Sequence, residues 1–170
     1  MSSQNFAGGA FSAIYVGPFG GSTPLTKLQL ESTGNFEIRE NMPMEWVQAT
    51  ASYEQAGART MNLTLTLMSN DDNAIKLARG VALSASDPYG TPTNAQYVIV
   101  LVDGASSSDQ NYFIPCCQAS SINLSIVRGK SIQSQTPLTF GYQDPDMDTL
   151  LFTNGTTTEI GVLLGAQNPF

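Results

Sequence analysis

The sequence predicts a mostly β protein, an antiparallel β-sandwich or barrel with one short flanking α-helix at about residues 70–79. Residues 60–68 alternate strictly between apolar and polar side chains, as a half-buried strand does. Comparable short segments recur along the chain between turns rich in glycine and proline. Helical signals are concentrated in one stretch, 69–80. Many short strands with a single helix are typical of sandwiches and barrels.

The predicted strands follow one another along almost the whole chain. Segments 44–53 and 60–68 are expected to pair as an antiparallel hairpin with residues 54–59 at its tip. The mixed pattern of 44–53 predicts a strand that is covered by other elements on both faces. The continuous apolar run 97–102 predicts a strand buried on both faces as well. The other strands are predicted at 11–16, 25–31, 35–40, 111–118, 121–128, 131–142, 150–153 and 158–164.

The segment from the strand 60–68 into the helix carries the most specific local signals. Asn62, Thr64 and Thr66 point away from the four apolar residues with which they alternate, so one face of the strand is dry and the other is wet. Ser69 is a candidate N-cap, two aspartates fall in the first helical turn, and Gly80 stands where the helix would end. The function of the wet face is therefore the main question.

Length and composition predict one domain, 1–170, with an N-terminal arm, 1–10, and a C-terminal tail, 165–170. The net charge is -7 and charged residues make up 12% of the chain. An acidic chain with scattered Lys and Arg is unsuited to sequence-independent binding of nucleic-acid phosphates. No apolar run has the length of a membrane helix, and the first residues lack a signal-peptide pattern. We expect synthesis in a cytoplasm and no membrane partner.

Enzyme chemistry finds little support. The chain contains no histidine, which excludes Ser-His-Asp and Cys-His nucleophile sites and most zinc hydrolases. The neighbours Cys116 and Cys117 are predicted to be reduced residues of a core or an interface. Carboxylates such as Glu45 and Glu54 could be paired in space, but no sequence pattern places them in a cleft. We therefore predict no catalytic residue, no cofactor and no metal centre.

Two short motifs imitate ligand-binding loops. Residues 129–131 match the end of a phosphate-binding loop, but the required earlier glycine is missing and a strand follows. Asp144, Asp146 and Asp148 have the spacing that opens a calcium loop, although Thr149 replaces its glycine. The first motif is interpreted as a hairpin turn. A solvated loop is the default for the second, and a weak cation site stays open.

Several phenylalanines lie in or near loops and termini, where a monomer would hold them loosely. They are Phe6, Phe11, Phe19 and Phe170. Large apolar residues in such places commonly mark partner surfaces, although the terminal arms could equally fold back on their own domain. A β protein with apolar ends is well suited to be a repeating subunit.

The order of elements resembles that of bacteriophage tail tube proteins, also called major tail proteins. The resemblance rests on the N-terminal strands, a long hairpin, the alternating strand 62–67, the helix 70–79, the long strand 135–142 and the apolar segment 150–152. It covers most of the chain and is architectural, because this family has no invariant catalytic motif. Related rings occur in bacterial type VI secretion tubes.

The resemblance implies a structural virion protein that forms stacked, hexameric rings around a conduit for DNA ejection. Its partners would be further copies of itself and other tail proteins such as sheath, terminator or baseplate. DNA would be only a non-specific passing cargo. The protein would be made in the host bacterial cytoplasm and located in the virion tail.

The resemblance also implies positions for individual residues. The two hairpin strands would supply the inner wall, with the neutral residues Asn62, Thr64 and Thr66 facing the lumen. An acidic lining would have to come from elsewhere, for which Glu31, Glu37 and Glu45 are candidates. Contacts between rings or subunits would involve Glu54, Gln55, Arg59, Phe6, Phe11 and Phe170.

Two alternatives of other classes remain. The first is a capsid decoration protein or another structural protein of the virion. The second is a carbohydrate-binding or hydrolytic β-sandwich, which would need a cleft with clustered aromatic residues and carboxylates. Trp46 is the only tryptophan available as a stacking platform for a sugar.

Overall fold

The computed structural model describes residues 9–11, 13–30, 34–57, 60–68, 71–102, 110–121, 137–143 and 153–170. These residues form antiparallel strands and two α-helices. In chain order the elements are β1 (Gly9–Phe11), β2 (Ala13–Pro18), β3 (Thr26–Lys27), β4 (Gly34–Asn41), β5 (Met44–Val47), β6 (Ser52–Gln55), β7 (Thr60–Met68), α1 (Asp72–Arg79), β8 (Gln96–Val102), β9 (Gln110–Ser121), β10 (Pro137–Gln143), β11 (Thr153–Thr156) and α2 (Thr157–Leu164).

The main sheet curls into a barrel. Its strand order is β1-β4-β7-β10-β9-β8-β2-β3, and β11 pairs with β9. The strands β1 and β2 lie far apart in this order, yet Phe11 and Ala13 are separated by only two Cα steps, about 7.6 Å at most. The rings of Phe36 on β4 and Tyr112 on β9 are 4.9 Å apart. Three strand spacings on a flat sheet would separate them by about 14 Å. The predicted mostly β, sandwich or barrel-like fold is confirmed.

The apolar side chains of the alternating strand β7 face the barrel interior. Met61, Leu63, Leu65 and Leu67 on β7 are all buried, and Leu65 is 0% exposed. They belong to one core cluster with apolar residues of β2, β4, β8 and β9. The predicted alternation is confirmed.

Helix α1 covers the core at the end of the barrel where β7 finishes. Its Ala74, Leu77 and Ala78 are 0% exposed and belong to the same interior cluster. The N-cap is Asp71, whose carboxylate accepts from the Asn73 amide, and not the predicted Ser69, which lies outside the described residues. Asp71 Oδ2 also accepts from the Gln29 backbone amide, so this cap joins α1 to the segment after β3. Gly80 ends the helix with a φ of 67°, as predicted.

Strand β8 is buried on both faces, as its continuous apolar sequence predicts. Ile99 and Leu101 face the barrel interior. Val98 and Val100 face outward into a second cluster, which Ile160 and Leu164 of α2 cover. A helix therefore occupies the segment 158–164, and the predicted strand is wrong. The reason is a capping box in which Thr156 and Glu159 exchange side-chain to backbone hydrogen bonds.

The predicted long hairpin is also wrong. Segment 44–53 does not pair with β7, because both edges of β7 are occupied by β4 and β10. It folds into a two-stranded sheet of its own, in which β5 pairs with β6 from Met44↔Gln55 to Val47↔Ser52. The turn is at 48–51, where Ala51 has a φ of 51°. Glu54 and Gln55 are therefore in a strand and not at the tip of a hairpin. Cover on both faces of segment 44–53 was expected, but neither face of this two-stranded sheet is covered.

Several predicted features lie outside the described residues. They are most of the arm 1–10, most of the strand 121–128, the turn 129–131, the calcium-like loop with Asp144, Asp146 and Asp148, and the segment 150–152. The tail 165–170 is described. It packs back on its own barrel, where Gln167 donates to the Pro18 carbonyl and the Phe170 ring lies 5.7 Å from that of Tyr15.

Candidate functional site

The outer side of the paired strands β4 and β7 is a polar surface. The pairing register sets Asn35 opposite Thr66, Glu37 opposite Thr64 and Arg39 opposite Asn62. Directly opposed residues share a face, and their apolar neighbours Phe36, Ile38 and Leu65 are buried on the other side. We call this surface the polar face; its residues are Asn35, Glu37, Arg39, Asn62, Thr64 and Thr66.

The polar face continues with small residues across β10 to β9. Gly141 lies opposite Thr64 and also opposite Ser121. The Ser120 hydroxyl donates to the Gly141 carbonyl at 3.1 Å, which fastens the two strands where their register shifts. A Cβ at Gly141 would lie 3.3 Å from Ser120 Oγ, so a larger residue would force this contact apart. The surface is therefore flat beside Thr64.

The polar face carries no net charge. Its charged residues are Glu37 and Arg39, and their side chains form an ion pair with each other along β4. The remaining four side chains are amides and hydroxyls. This face therefore offers hydrogen-bonding groups without the cluster of cations that retains phosphates.

Glu45 does not join the polar face. It lies on β5, directly opposite Glu54 of β6, and both residues are exposed. The Thr50 hydroxyl donates to Glu54 at 2.7 Å. The structure thus brings together the two carboxylates that sequence reasoning considered as a pair, but on a solvated hairpin and not in a cleft.

The opposite side of the same hairpin is apolar and exposed. Met44 is 44% exposed, Trp46 is 54% exposed and Tyr53 is 66% exposed. The rings of Trp46 and Tyr53 are directly opposed, with centroids 5.2 Å apart in an edge-on arrangement. We call this surface the hairpin face. Contiguous exposed apolar residues of this kind are unusual on a monomer and mark interaction surfaces.

The other predicted contact residues are dispersed. Gln55 lies on β6, where its side-chain amide donates to the Gly57 carbonyl. Phe11 lies on β1, while Phe6 and Arg59 are outside the described residues. Phe170 stays half exposed beside Tyr15, and Phe19 is exposed in the turn after β2.

Sequence reasoning missed an exposed apolar pair on α2. Val162 is 77% exposed and Leu163 is 52% exposed, while Ile160 and Leu164 on the same helix are buried. Treating 158–164 as a strand hid this difference. The Thr156 to Glu159 capping-box spacing was the signal that could have revealed it.

Two buried tyrosines tie α1 to the barrel interior. The Tyr97 hydroxyl is placed to donate to the carbonyls of Lys76, in the last turn of α1, and of Val81, just after the helix, and the centroids of the Tyr97 and Tyr142 rings are 6.2 Å apart. Burial, reinforced by the neighbouring Cys117, raises the pKa of both tyrosines well above its usual range. Cys116 and Cys117 are buried and reduced, as predicted. In the described part of the chain, no three His, Cys, Asp or Glu residues are grouped as metal ligands.

Comparison with known proteins adds no relative. No protein-family model matches the chain, and no curated protein matches it. None of the described helices combines the length and the apolar character that crossing a bilayer requires.

Proposed function

We propose that this chain is a structural subunit of a bacteriophage tail tube, which assembles into stacked, hexameric rings around a conduit for DNA ejection. The observation that carries the proposal is the polar face, a flat strand surface of amides, hydroxyls and one internal ion pair. A conduit wall must stay hydrated and must not retain phosphates, because retained phosphates would stop the passing DNA.

Self-assembly is supported by what the barrel leaves exposed. The hairpin face presents Met44, Trp46 and Tyr53, and α2 presents Val162 and Leu163. Burial of such side chains is favourable by roughly 1.5–3 kcal/mol each, so assembly would remove them from water with a gain in free energy. On this proposal the partners are further copies of the chain and other tail proteins such as sheath, terminator or baseplate.

The proposal makes the protein a component of the virion tail, made in the host bacterial cytoplasm and without enzymatic activity or cofactor. A carbohydrate-binding role is less well supported, because the carboxylates of the hairpin, Glu45 and Glu54, lie on the face opposite to the Trp46–Tyr53 pair. Binding to preformed capsids without self-assembly would instead favour a capsid decoration protein.

Electron microscopy and nuclease protection test the proposal together. The purified protein is expected to form ordered rings or tubes that do not retain DNA at physiological salt. Thr64→Arg adds a cation to the polar face, so its tubes should retain DNA that is protected from nuclease and released by salt.

Thr91→Arg is the matched control, because Thr91 is exposed in the connection between α1 and β8 and belongs neither to the polar face nor to the exposed apolar surfaces. Its tubes should leave any bound DNA open to nuclease. A wild-type protein that stays monomeric at all concentrations would refute the proposal. Equal nuclease protection of DNA by the two variants would show that the polar face does not line the lumen.

A further inference from the structure

The hairpin face and α1 lie at opposite ends of the barrel. The hairpin enters β7 at Thr60, and α1 begins at Asp72, just beyond the other end of that strand. Nine extended residues span about 27 Å along the strand. A surface beside α1 is therefore out of reach of the hairpin of the same copy.

A cavity of about 190 Å³ lies beside α1, between that helix and the connection from β2 to β3. Its lining is part apolar, with Pro18, Pro24 and Leu83, and part polar, with Thr23, Thr26 and Asn73. An engineered protein cavity of about 150 Å³ is large enough to bind benzene. This cavity therefore has room for one aromatic side chain.

Tyr53 has the chemistry that fits this lining. It is the most exposed of the large apolar residues on the hairpin, at 66%, and its ring ends in a hydroxyl. Tyrosine is suited to sites that are apolar on one side and polar on the other. Thr23, Thr26 and the Asn73 side chain offer hydroxyl and amide groups to a phenol, and Trp46 supports the Tyr53 ring from across the hairpin.

We propose that Tyr53 of one copy inserts into this cavity of a second copy, so that copies stack head to tail along the barrel. The inference rests on the proposed function, which requires copies to associate, and it identifies the contact that joins successive rings. Two different surfaces on opposite ends of one chain form a heterologous contact, which repeats as an open stack when the rotation between copies does not close a ring. Such a contact extends a tube.

Assembly of three variants tests the contact. Tyr53→Ala removes the aromatic ring and Thr26→Trp narrows the cavity at an exposed position of β3. Each should raise the protein concentration needed for tubes roughly thirtyfold, the effect of losing a central aromatic anchor. Tyr89→Ala is the control, since Tyr89 is 60% exposed and does not line the cavity. It should assemble like the wild type.

Cysteine cross-linking tests the geometry directly. A mixture of Gln55→Cys and Thr26→Cys proteins should form a covalent heterodimer under mild oxidation, because Gln55 is exposed on the same side of the hairpin as Tyr53 and its replacement keeps the Tyr53 ring. The buried Cys116 and Cys117 should not compete. A mixture of Gln55→Cys and Tyr89→Cys should not form this heterodimer. Equal cross-linking of both mixtures would overturn the inference.

The outcomes separate this contact from the proposed function. Normal tubes from Tyr53→Ala would overturn the contact and leave the tube subunit standing. Impaired assembly of Thr26→Trp alone would show that another segment occupies the cavity, which also overturns the role of Tyr53. A wild type that never assembles would refute the proposed function itself.

Discussion

Substituting neighbouring residues of β7 with aspartate should separate the two sides of the barrel wall. Leu65 is 0% exposed in the interior cluster, whereas Thr64 is partly exposed on the polar face. Removing the leucine side chain costs about 2–5 kcal/mol. Burying a polar group without a hydrogen-bond partner adds about 1–3 kcal/mol, and an ionised carboxylate costs more. The total is comparable with the whole stability of a typical domain, about 5–15 kcal/mol.

Thr64→Asp should cost far less. Its carboxylate would lie opposite Glu37, where like charges are unfavourable by roughly 0.2–1 kcal/mol, and Arg39 is close enough along β4 to offset part of this. At about 2–4 °C per kcal/mol for a chain of this size, Thr64→Asp should melt within about 4 °C of the wild type. Leu65→Asp should melt more than about 10 °C lower or fail to fold.

Thermal unfolding followed by circular dichroism provides the measurement. Leu65→Asn serves as a control for charge, because it keeps the shape and polarity of aspartate without its ionisation. It should also be strongly destabilised. If Thr64→Asp and Leu65→Asp lost equal stability, the assignment of Thr64 to the wet side of the wall would be wrong.

Three further perturbations test other parts of the fold. Thr156→Ala removes the α2 cap and should lower the melting temperature by about 2–4 °C relative to Thr158→Ala, which leaves the cap intact. Arg79→Ala removes the donor to the Pro88 and Gly90 carbonyls, so the backbone amides of Asp87, Tyr89 and Gly90 should exchange faster, and Arg79→Lys should restore protection only in part. Raising the pH should destabilise the protein: because burial raises the folded-state pKa of Tyr97 and Tyr142, the unfolded chain binds fewer protons above about pH 10. The contribution of the two tyrosines to stability is complete below that pH and is lost as the pH rises further. Denaturant unfolding at a series of alkaline pH values would reveal the loss. A free energy of unfolding that did not change with pH would contradict the burial of both hydroxyls.

Local patterns predicted the elements whose environment is simple. The alternation of β7 follows directly from one dry and one wet side, and the apolar run of β8 follows from cover by the barrel interior and by α2. The end of α1 at Gly80 was predictable because the required positive φ favours glycine. In each case the local sequence alone indicates the environment or the backbone conformation of the segment.

Pairing between distant segments was not predictable in the same way. Nothing in 44–53 reveals that β10, more than 60 residues later in the chain, occupies the edge of β7 that this segment would need. A strand prediction fixes which residues alternate, whereas the partner is decided by the whole sheet. The predicted long hairpin is wrong because of this competition for edges, whereas the predicted strand at 158–164 is wrong because of a local signal, the capping box of Thr156 and Glu159.

The residues of the candidate site also differ in whether local sequence could predict them. Asn62, Thr64 and Thr66 were identified from the alternation of one strand. Their neighbours Glu37 and Arg39 join them only through the register of β4 against β7, and Glu45 is separated from them because β5 pairs with β6. Residues on one strand are predictable as a group, while the composition of a whole face depends on long-range pairing.

The outer surfaces of β8 and of β4 and β7 differ in whether they need to be buried. The side formed by β8 is apolar at Val98 and Val100, and α2 covers it within the same chain. The polar face on β4 and β7 needs no cover, because its amides and hydroxyls remain hydrated at no cost. The hairpin face has neither cover nor polar character. Association of copies should therefore bury the hairpin face and leave the polar face wet, and a tube is an assembly that meets both requirements, since its lumen is filled with water.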